Sequence, residues 1–561
     1  MQEVVRLYKR HWWKEAVGYQ IYPRSFQDSN GDGIGDLKGI IQRLDYVKEL
    51  GIDVIWICPV YQSPNDDNGY DISDYESIME EFGTMEDFDE LLNEVHQRGM
   101  KLIMDLVLNH TSDEHPWFIE SRSSQNNSKR DWYIWRDGKQ GQEPNNWESI
   151  FGGSAWQYDA VTEEYYLHLF SPKQPDLNWE NEEVRNALYK TVNGWLEKGI
   201  DGFRIDAISH IKKRPHLPNM PNQKDKAYVP SFDMHLNQEG IHDFLEEFKE
   251  ETYGKYDVMT VGEANGVTID EAHLWVGEEQ GKMDMIFQFE HLGLWDAEPN
   301  QELDVLELKN VLTRWQKGLE NNGWNALFLE NHDQPRVVST WGNDEEFWRE
   351  SATALGGMYF LMQGTPFIYQ GQEIGMTNVQ YPSIEDYDDV STKNLYSAKR
   401  EAGLSHAKAM EYIWAPSRDN SRTPMQWSEE PNAGFTTGTP WMKVNPNYSH
   451  INVEKQLQEQ QSILAFYKSM IQIKKDYPIF IYGLYDLLDS SNKQVYAYTR
   501  TSGYEKMVVM ANLTGKPATC HTENIILSYD GLLLNNYKIE EHLNAKTIAL
   551  EPYEFRVYQV N

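Results

Sequence analysis

The chain has 561 residues, which is enough for one large core with additional domains. Its 88 acidic and 51 basic residues give a formal net charge of −37. Nucleic acids and anionic membranes attract basic proteins, so this charge argues against either partner. Aromatic residues make up 13% of the chain, which is typical of a large core or of a site whose rings contact a ligand with apolar faces, such as a sugar.

The cysteine content and the absence of long apolar runs bear on location. Cys58 and Cys520 lie far apart in the sequence, which predicts reduced structural thiols rather than a disulfide framework. The first residues lack the apolar core and the small-residue cleavage site of a signal peptide. No apolar run approaches the length of a membrane span, about 18 residues. These features predict a cytoplasmic protein.

The first third of the chain alternates short apolar runs with helical patterns. Ala16–Pro23, Asp53–Val60 and Lys101–His110 have the composition of buried strands. Leu37–Gly51 and Met85–Gly99 have the periodicity of amphipathic helices, each ending at a glycine. Alternation of this kind predicts βαβ units and a parallel sheet.

The same alternation returns later in the chain and gives five further strand candidates. Eight parallel strands with intervening helices predict a (β/α)8 barrel, here formed by residues 12–110 and 177–478. The later candidates are Asp201–Ile208, Asp257–Asn265, Met283–Glu290, Asn325–Asp333 and Thr365–Gly371.

Three stretches do not fit the barrel pattern. Residues 111–176 are polar and aromatic and too long for a βα loop, which predicts a subdomain inserted after the third strand. Residues 374–438 predict a second, irregular insert after the eighth strand, near the mouth of the barrel. Only strand-like runs follow residue 478, so residues 479–561 are predicted to form a C-terminal antiparallel β-sandwich domain.

Ionisable residues follow several strand candidates at the end where barrel enzymes carry their chemistry. Three carboxylates from three strands, with two histidines and an arginine, favour an active site over solvated loop acids. Without an evident metal-ligand set, this combination indicates glycoside hydrolysis, which needs one ionised and one protonated carboxyl group. The residues are Asn109, His110, Arg204, Asp206, Glu263, His332 and Asp333.

The neighbours of two acids suggest different protonation states. Arg204 and Asp206 share one face of a strand, so the guanidinium is expected to lower the pKa of Asp206 and keep it ionised. Glu263 has no basic neighbour in sequence. A less polar setting would raise the pKa of Glu263 and suit it as the proton donor.

The stretch "DSNGDGIGD" places oxygen ligands at alternate positions, with Gly33 where an EF-hand-type loop turns. Gly39 stands where a full EF-hand has its bidentate glutamate, so a sensor site is not expected. The pattern predicts one structural Ca²⁺ or Mg²⁺ ion that stabilises the first βα loop, with a solvated acidic turn as the alternative; no organic cofactor is expected. The predicted ligands are Asp28, Asn30, Asp32, the Ile34 carbonyl and Asp36.

The segments "DLVLNH", "GFRIDAI", "VGEAN" and "ENHDQPR" resemble the four signature segments of the alpha-amylase family of glycoside hydrolases. "QPDLNWE" resembles an additional segment in the form found in the oligosaccharide-acting subgroup. "NGYDISDY" and "SRDNSRTPMQW" also resemble that subgroup, and the likeness covers nearly the whole chain. The subgroup also carries a metal ion in the first βα loop.

The resemblance implies a retaining mechanism and assigns the three acids. Asp206 is expected to be the nucleophile, Glu263 the general acid/base and Asp333 the stabiliser of the transition state. In retaining enzymes the first two carboxyl groups lie about 5–5.5 Å apart.

The resemblance also implies which side chains contact the terminal glucose. Tyr70 is expected to stack on the sugar, and Phe151 and Phe170 are candidate pocket aromatics or plain core residues. The remaining candidates are Asp71, His110, Arg204, His332, Arg422, Gln174 and Ala207.

The long inserts favour a closed pocket and release of terminal glucose from a small oligosaccharide, by a monomer or a homodimer. In the resembled subgroup, Ala after the nucleophile goes with α-1,4 preference and Val with α-1,6, so Ala207 predicts an α-1,4-glucosidase active on maltose. Oligo-1,6-glucosidase, trehalose-6-phosphate hydrolase and sucrose isomerase are the alternatives. A non-catalytic barrel protein is disfavoured, because all three acids are present.

Overall fold

The computed structural model describes residues 10–139, 141–294, 302–523, 525–539 and 544–560. Eight parallel strands form one sheet, and a parallel bridge between Ile286 and Asn325 joins its two outer strands, which confirms the predicted barrel. The strands are β1 (Gly18–Ile21), β2 (Val54–Ile57), β3 (Lys101–Val107), β4 (Gly202–Asp206), β5 (Met259–Glu263), β6 (Met285–Phe287), β7 (Ala326–Leu327) and β8 (Thr365–Tyr369).

A helix follows each barrel strand. The first shows why these segments are helical: the Asp36 side chain accepts a hydrogen bond from Gly39 N at 2.7 Å, and the helix ends at Gly51 with a φ of 103°. Its buried face packs on the sheet. The helices are α1 (Leu37–Leu50), α2 (Met85–Gln97), α3 (Glu182–Lys198), α4 (Ile241–Glu251), α5 (Ala272–Val276), α6 (Val305–Leu319), α7 (Trp348–Phe360) and α8 (Ile463–Asp476).

The chain between β3 and α3 forms a small unit beside the barrel mouth. A three-stranded antiparallel sheet of Trp135–Arg136, Glu164–Leu167 and Trp156–Asp159 makes its centre. The segment 209–240, between β4 and α4, joins this unit, because Val229–Pro230 pairs with Trp147–Glu148. This second contribution was not foreseen from the sequence.

The stretch after β8 is more regular than predicted. Residues 374–438 contain the helices Val390–Glu401 and His406–Trp414, the one-turn helix Asp419–Arg422, and a separate small core that includes Tyr387 and Ile413. The expectation of an irregular insert was therefore wrong. These helices were missed because the stretch is acidic and lacks a clear apolar face. Most of the first helix is solvent-exposed or only partly buried.

The C-terminal region is an antiparallel sheet domain, as predicted. The strands are β9 (Leu484–Leu488), β10 (Val495–Ser502), β11 (Glu505–Asn512), β12 (Ala518–His521), β13 (Leu532–Asn535), β14 (Thr547–Leu550) and β15 (Phe555–Val560). Five of them form one sheet in the order β9–β10–β11–β15–β13, and β12 pairs with β14. The Tyr498 hydroxyl donates to Met358 O at 3.0 Å and so connects the domain to α7.

Two general features complete the architecture. Cys58 and Cys520 are both buried and unpaired. Within the described ranges, no helix has the length and apolar character needed to cross a membrane.

Candidate active site

Two carboxyl groups meet at the carboxyl ends of adjacent barrel strands. Asp206 ends β4 and Glu263 ends β5, and the strands pair with Ile205 opposite Gly262. The buried Arg204 guanidinium joins them: Nη1 lies 2.7 Å from Asp206 Oδ1 and Nη2 lies 2.7 Å from Glu263 Oε2. The sequence prediction that these acids converge is consistent with this geometry.

The expected electrostatic division between the two acids was wrong. Arg204 contacts both carboxyl groups, so it does not favour ionisation of Asp206 alone. Burial, followed by the charge of Glu263, raises the pKa of Asp206 well above its ordinary value, and these effects exceed the opposing effect of Arg204. A nearby carboxylate disfavours the charged form, so the proximity of Glu263 works against ionisation of Asp206.

Ala207 gives the chain a sharp turn immediately after Asp206. Its φ of 45° lies in the left-handed region, which is uncommon for a residue with a Cβ. This turn directs the Ala207 N–H to Glu263 Oε2 at 3.1 Å. Ala207 thus contributes a backbone donor to the acid pair, and its methyl group is buried.

Asp333 follows β7 and is the third acid of the site. One of its oxygens lies 2.8 Å from Arg422 Nη2 and 3.0 Å from Arg418 Nη1. Burial would raise the pKa of Asp333, but His332 and the two guanidinium groups hold it well below its ordinary value. Asp333 is therefore an ionised carboxylate.

His332 has a defined tautomer. The Gln20 amide donates to His332 Nδ1 at 2.8 Å, which leaves the ring proton on Nε2, 3.1 Å from Asp333 Oδ2. Burial lowers the pKa of His332 to about 3, so the ring is neutral. The Tyr70 ring stacks on it, with 5.1 Å between ring centroids and an interplanar angle of 8°.

Asp105 is a site residue that the sequence analysis missed. Its carboxylate accepts from Arg204 Nη1 and from the Tyr70 hydroxyl, both at 2.8 Å, and from Trp56 Nε1 at 3.1 Å. It thereby fixes the guanidinium that holds the acid pair. The sequence did contain an indication of this role, because Asp105 is an acid inside the apolar run "KLIMDLVLNH". A buried carboxylate without a partner is costly, so an acid in such a run is expected to have polar partners.

Asp71 was predicted to contact the terminal glucose, but its hydrogen bonds indicate a structural role in its own loop. It is fully buried and accepts hydrogen bonds from Ser63 Oγ at 3.0 Å, Asp66 N at 2.9 Å and Asp67 N at 3.1 Å. Its oxygens are engaged by its own loop, so direct contact with a sugar is not supported. Asp71 holds the loop that presents Asp67, whose carboxylate lies 3.0 Å from Arg418 Nη2.

Arg418 is the second residue that was missed. Its guanidinium contacts Asp67 and Asp333, each at 3.0 Å, and also Asp389. The ring of Phe151 lies against it, with 4.9 Å between the guanidinium carbon and the ring centroid. Arg418 precedes the predicted site residue Arg422 by four positions, which is about one helical turn. This spacing places both side chains on one face, and it could have indicated Arg418 from the sequence.

The remaining predicted pocket residues form one wall. Phe170 lies 5.1 Å from His110 and 5.6 Å from Phe151, measured between ring centroids. Gln174 Nε2 donates to Asp67 Oδ2 at 3.1 Å. His110 is buried against the Tyr70 carbonyl. Phe151 and Phe170 are only partly buried, which is consistent with pocket aromatics.

A buried lysine connects this wall to the barrel. Lys213 Nζ lies 2.6 Å from Asp176 Oδ2 and donates to Asn109 Oδ1 at 2.8 Å. The three residues come from the segment after β4, the inserted unit and the end of β3. This contact fixes His110, which follows Asn109 directly.

The predicted metal loop is satisfied by hydrogen bonds. Asp28 accepts from Asn30 N at 2.9 Å and Gly33 N at 2.9 Å, and Asp36 caps α1. Within the described part of the chain, no three Asp, Glu, His or Cys residues are grouped to hold a metal. The oxygen donors suit Ca²⁺ in kind, and binding of the ion stays a prediction.

Comparisons with known proteins identify the family of the chain. The family described as "Alpha amylase, catalytic domain" matches residues 20–483. A probable oligo-1,6-glucosidase 3 from Bacillus subtilis (strain 168) is 60% identical, covering 98% of this chain and 99% of the relative, and the oligo-1,6-glucosidase of Bacillus cereus is 55% identical, covering 98% and 100%.

A trehalose-6-phosphate hydrolase from Bacillus licheniformis has a similar solved structure. Its TM-score is 0.92 at 45% identity, covering 98% of this chain and 100% of that one. The isomaltulose synthase of Protaminobacter rubrum also has a TM-score of 0.92, at 42% identity, covering 99% and 100%. Since the family profile spans most of the chain and the Bacillus subtilis relative is 60% identical over nearly the whole chain, the protein belongs to the alpha-amylase family and is a glycoside hydrolase of the alpha-glucosidase type.

Proposed function

We propose that the protein is a retaining, exo-acting α-glucosidase that releases terminal glucose from short α-1,6-linked oligosaccharides such as isomaltose. The observation that carries the exo-acting part is the ion pair between Asp67 and Arg418, which is 3.0 Å long. Asp67 is buried, and Arg418 is partly buried beside Asp333. The two residues come from different loops and meet across one side of the pocket. A long chain would have to break this pair to pass through.

The proposed reaction uses the two carboxyl groups that Arg204 holds together, Asp206 and Glu263. Asp206 attacks the anomeric carbon while Glu263 transfers its proton to the departing glycosidic oxygen, which forms a glycosyl ester and releases the leaving sugar. Glu263 then removes a proton from water, the water oxygen attacks the anomeric carbon, and the bond to Asp206 breaks. Asp333, ionised beside two guanidinium groups, stabilises the positive charge that develops on the sugar ring.

The exo-acting proposal predicts the effect of removing Asp67. Asp67→Ala removes one of three carboxylate partners of Arg418 and leaves Asp333 and Asp389 in place. The cost is therefore expected at the lower end of the range of about 2–5 kcal/mol for truncating a buried charge pair. We expect kcat/KM for short substrates to fall about 30-fold, while Gln62→Ala, at an exposed position of the same segment, has little effect. Product chromatography on a chromogenic maltoheptaoside checks the mode of cleavage. Early mid-chain fragments from the wild type would contradict exo action.

The linkage proposal rests on relatives. Four proteins named oligo-1,6-glucosidase or probable oligo-1,6-glucosidase are 54–60% identical over nearly the whole chain, and two more are 48% and 49% identical. The trehalose-6-phosphate hydrolase of Bacillus subtilis (strain 168) is 45% identical. These likenesses favour α-1,6 cleavage over the α-1,4 preference expected from the sequence.

One observation supports α-1,4 cleavage as a second candidate. Ala207 follows Asp206, and its N–H contacts Glu263, so its side chain stands beside the bond to be cleaved. A methyl group leaves room for the second ring of an α-1,4 disaccharide, which lies closer than the ring of an α-1,6 disaccharide. A single side chain shifts such discrimination by about 1–3 kcal/mol.

The linkage test is a substrate panel of isomaltose, maltose, trehalose-6-phosphate and sucrose. The proposal predicts that kcat/KM for isomaltose is the highest of the four. A higher value for maltose would support the second candidate instead. Isomers formed from sucrose would indicate a sucrose isomerase, and a preference for trehalose-6-phosphate would indicate a hydrolase of that sugar phosphate. For either linkage, Ala207→Val should lower kcat/KM for maltose relative to isomaltose about tenfold.

We further propose that the loop 28–36 binds one structural Ca²⁺ ion, with Mg²⁺ as the alternative. An ion that binds only the folded state raises its stability by mass action. A chelator should therefore lower the melting temperature by several degrees in calorimetry, and added Ca²⁺ should restore it. An unchanged melting temperature, with no metal in elemental analysis, would contradict the site. Cytoplasmic location is likewise a proposal, testable by cell fractionation.

A further inference from the structure

A polar cavity lies at the end of the barrel opposite the candidate active site. Residues at the amino ends of β5 and β6 and at the end of α4 line it, and its volume is about 370 Å³. Sites for small molecules usually have volumes of about 300–1,000 Å³. The described residues that line it include none of the acids or arginines of the active site. The chemistry described above therefore does not account for this cavity.

The lining of the cavity is positively charged. Three lysines and two acids contribute to it, although the whole chain has a net charge of −37. Lys14 forms an ion pair with Glu278, whereas Lys282 pairs with Glu246, which lies outside the lining. The charged lining residues are Lys14, Lys249, Lys282, Glu278 and Asp284.

Lys249, in the last turn of α4, is the cation of the lining that has no acidic partner. Among the described residues, its Nζ forms no ion pair and donates to a single oxygen, Gly281 O, at 2.8 Å. An ammonium group has three protons to donate, so two are left for other partners. Acids outnumber bases by 88 to 51 in this chain, so a lysine without an acid beside it is unexpected. This arrangement favours an anionic ligand.

The two acids of the lining are held by other groups. Glu278 is paired with Lys14. Asp284 Oδ2 accepts hydrogen bonds from Thr260 N at 2.8 Å and from Thr260 Oγ1 at 3.0 Å. Burial also raises the pKa of Asp284 to about 6, which weakens its opposition to a second negative charge as the pH falls towards that value. Neither acid therefore replaces an external anion at Lys249.

The cavity has room for more than a single inorganic anion. Tyr256 also lines it, and 38% of Tyr256 is exposed, so its ring is accessible at the open side. An aromatic ring offers a flat apolar surface to one face of a sugar. The partly exposed carboxylate of Glu278 can accept hydrogen bonds from sugar hydroxyls. These groups suit a ligand that combines an anionic group with a sugar ring.

We propose that this cavity binds a sugar phosphate, with its phosphate group on the Lys249 ammonium and its sugar ring against Tyr256. A lysine binds phosphate as a compact point charge, which suits a ligand that can enter in more than one orientation. The site shares no residue with the candidate active site. The proposal is therefore independent of the linkage that the enzyme cleaves.

Isothermal titration calorimetry with glucose 6-phosphate tests the proposed site. The wild type should bind it, and Lys249→Met should raise Kd about 10- to 100-fold, as expected for the loss of one charge-assisted hydrogen bond. Lys249→Arg keeps the charge and should recover most of the affinity. Lys255→Met removes an exposed lysine outside the cavity and should leave Kd unchanged. All three variants should retain kcat/KM for p-nitrophenyl α-glucoside within about twofold.

Inorganic phosphate, as a second probe, separates the two parts of the ligand. It should bind the wild type about tenfold more weakly than glucose 6-phosphate, because it makes no contact with the aromatic ring. Tyr256→Ala should weaken binding of glucose 6-phosphate and leave that of inorganic phosphate unchanged. Equal affinity of the wild type for both probes would overturn the sugar part of the proposal. No binding of glucose 6-phosphate, or a Kd that Lys249→Met does not change, would overturn the site itself.

Discussion

Asp206→Asn is expected to lower kcat by about 10⁴-fold or more on every glucoside, because it removes the atom that forms the bond to the sugar. The structure also predicts a folded variant. Burial and Glu263 raise the pKa of Asp206, so the folded site disfavours a negative charge at this position. Replacing one carboxyl group with a neutral amide removes the repulsion and keeps nearly the same shape.

Steady-state kinetics with p-nitrophenyl α-glucoside measures this loss, and circular dichroism with thermal unfolding checks the fold. Asp71→Asn is a useful comparison, because Asp71 holds a loop and does not reach the reacting atoms. We expect Asp71→Asn to lower the melting temperature and to reduce kcat far less than Asp206→Asn. Near-normal turnover by a folded Asp206→Asn protein would contradict the assigned role.

Glu263→Gln is expected to separate substrates by their leaving groups. A sugar leaving group needs a proton in the first step, so kcat/KM for disaccharides should fall about 10²- to 10⁴-fold. A dinitrophenyl leaving group is stable as an anion, so its release should be nearly as fast as in the wild type, followed by slow breakdown of the glycosyl ester. Burst kinetics in a stopped-flow experiment measures both steps. A uniform loss across leaving groups would show that Glu263 is not the proton donor.

Much of the fold could be predicted from the sequence. The eight barrel strands are short, apolar and separated by amphipathic helices, so both kinds of element could be recognised from the hydrophobic pattern. The helices Val390–Glu401 and His406–Trp414 were not readable, because they are largely exposed and their small core forms only with neighbouring loops. The pairing of Val229–Pro230 with Trp147–Glu148 joins distant segments, and local patterns carry no information about such pairing.

The candidate site also has residues that could be predicted from the sequence and residues that could not. Asp206, Glu263 and Asp333 stand at strand ends, where the barrel geometry itself brings them together. Asp67 was passed over for Asp71 because both acids lie in one short loop, and only the hydrogen bonds show that Asp71 faces its own backbone. The pKa of Asp206 could not be predicted from Arg204 alone, since it depends on the contact with Glu263 across two strands.

The central claim is that Asp206 and Glu263 act as one retaining pair joined by Arg204. Proton NMR of the first glucose released from p-nitrophenyl α-glucoside tests it most directly, because it records the anomer before mutarotation. The account predicts α-glucose as the initial product, which requires two displacements at the anomeric carbon. Initial β-glucose would show a single displacement by water and would contradict the roles given to both acids.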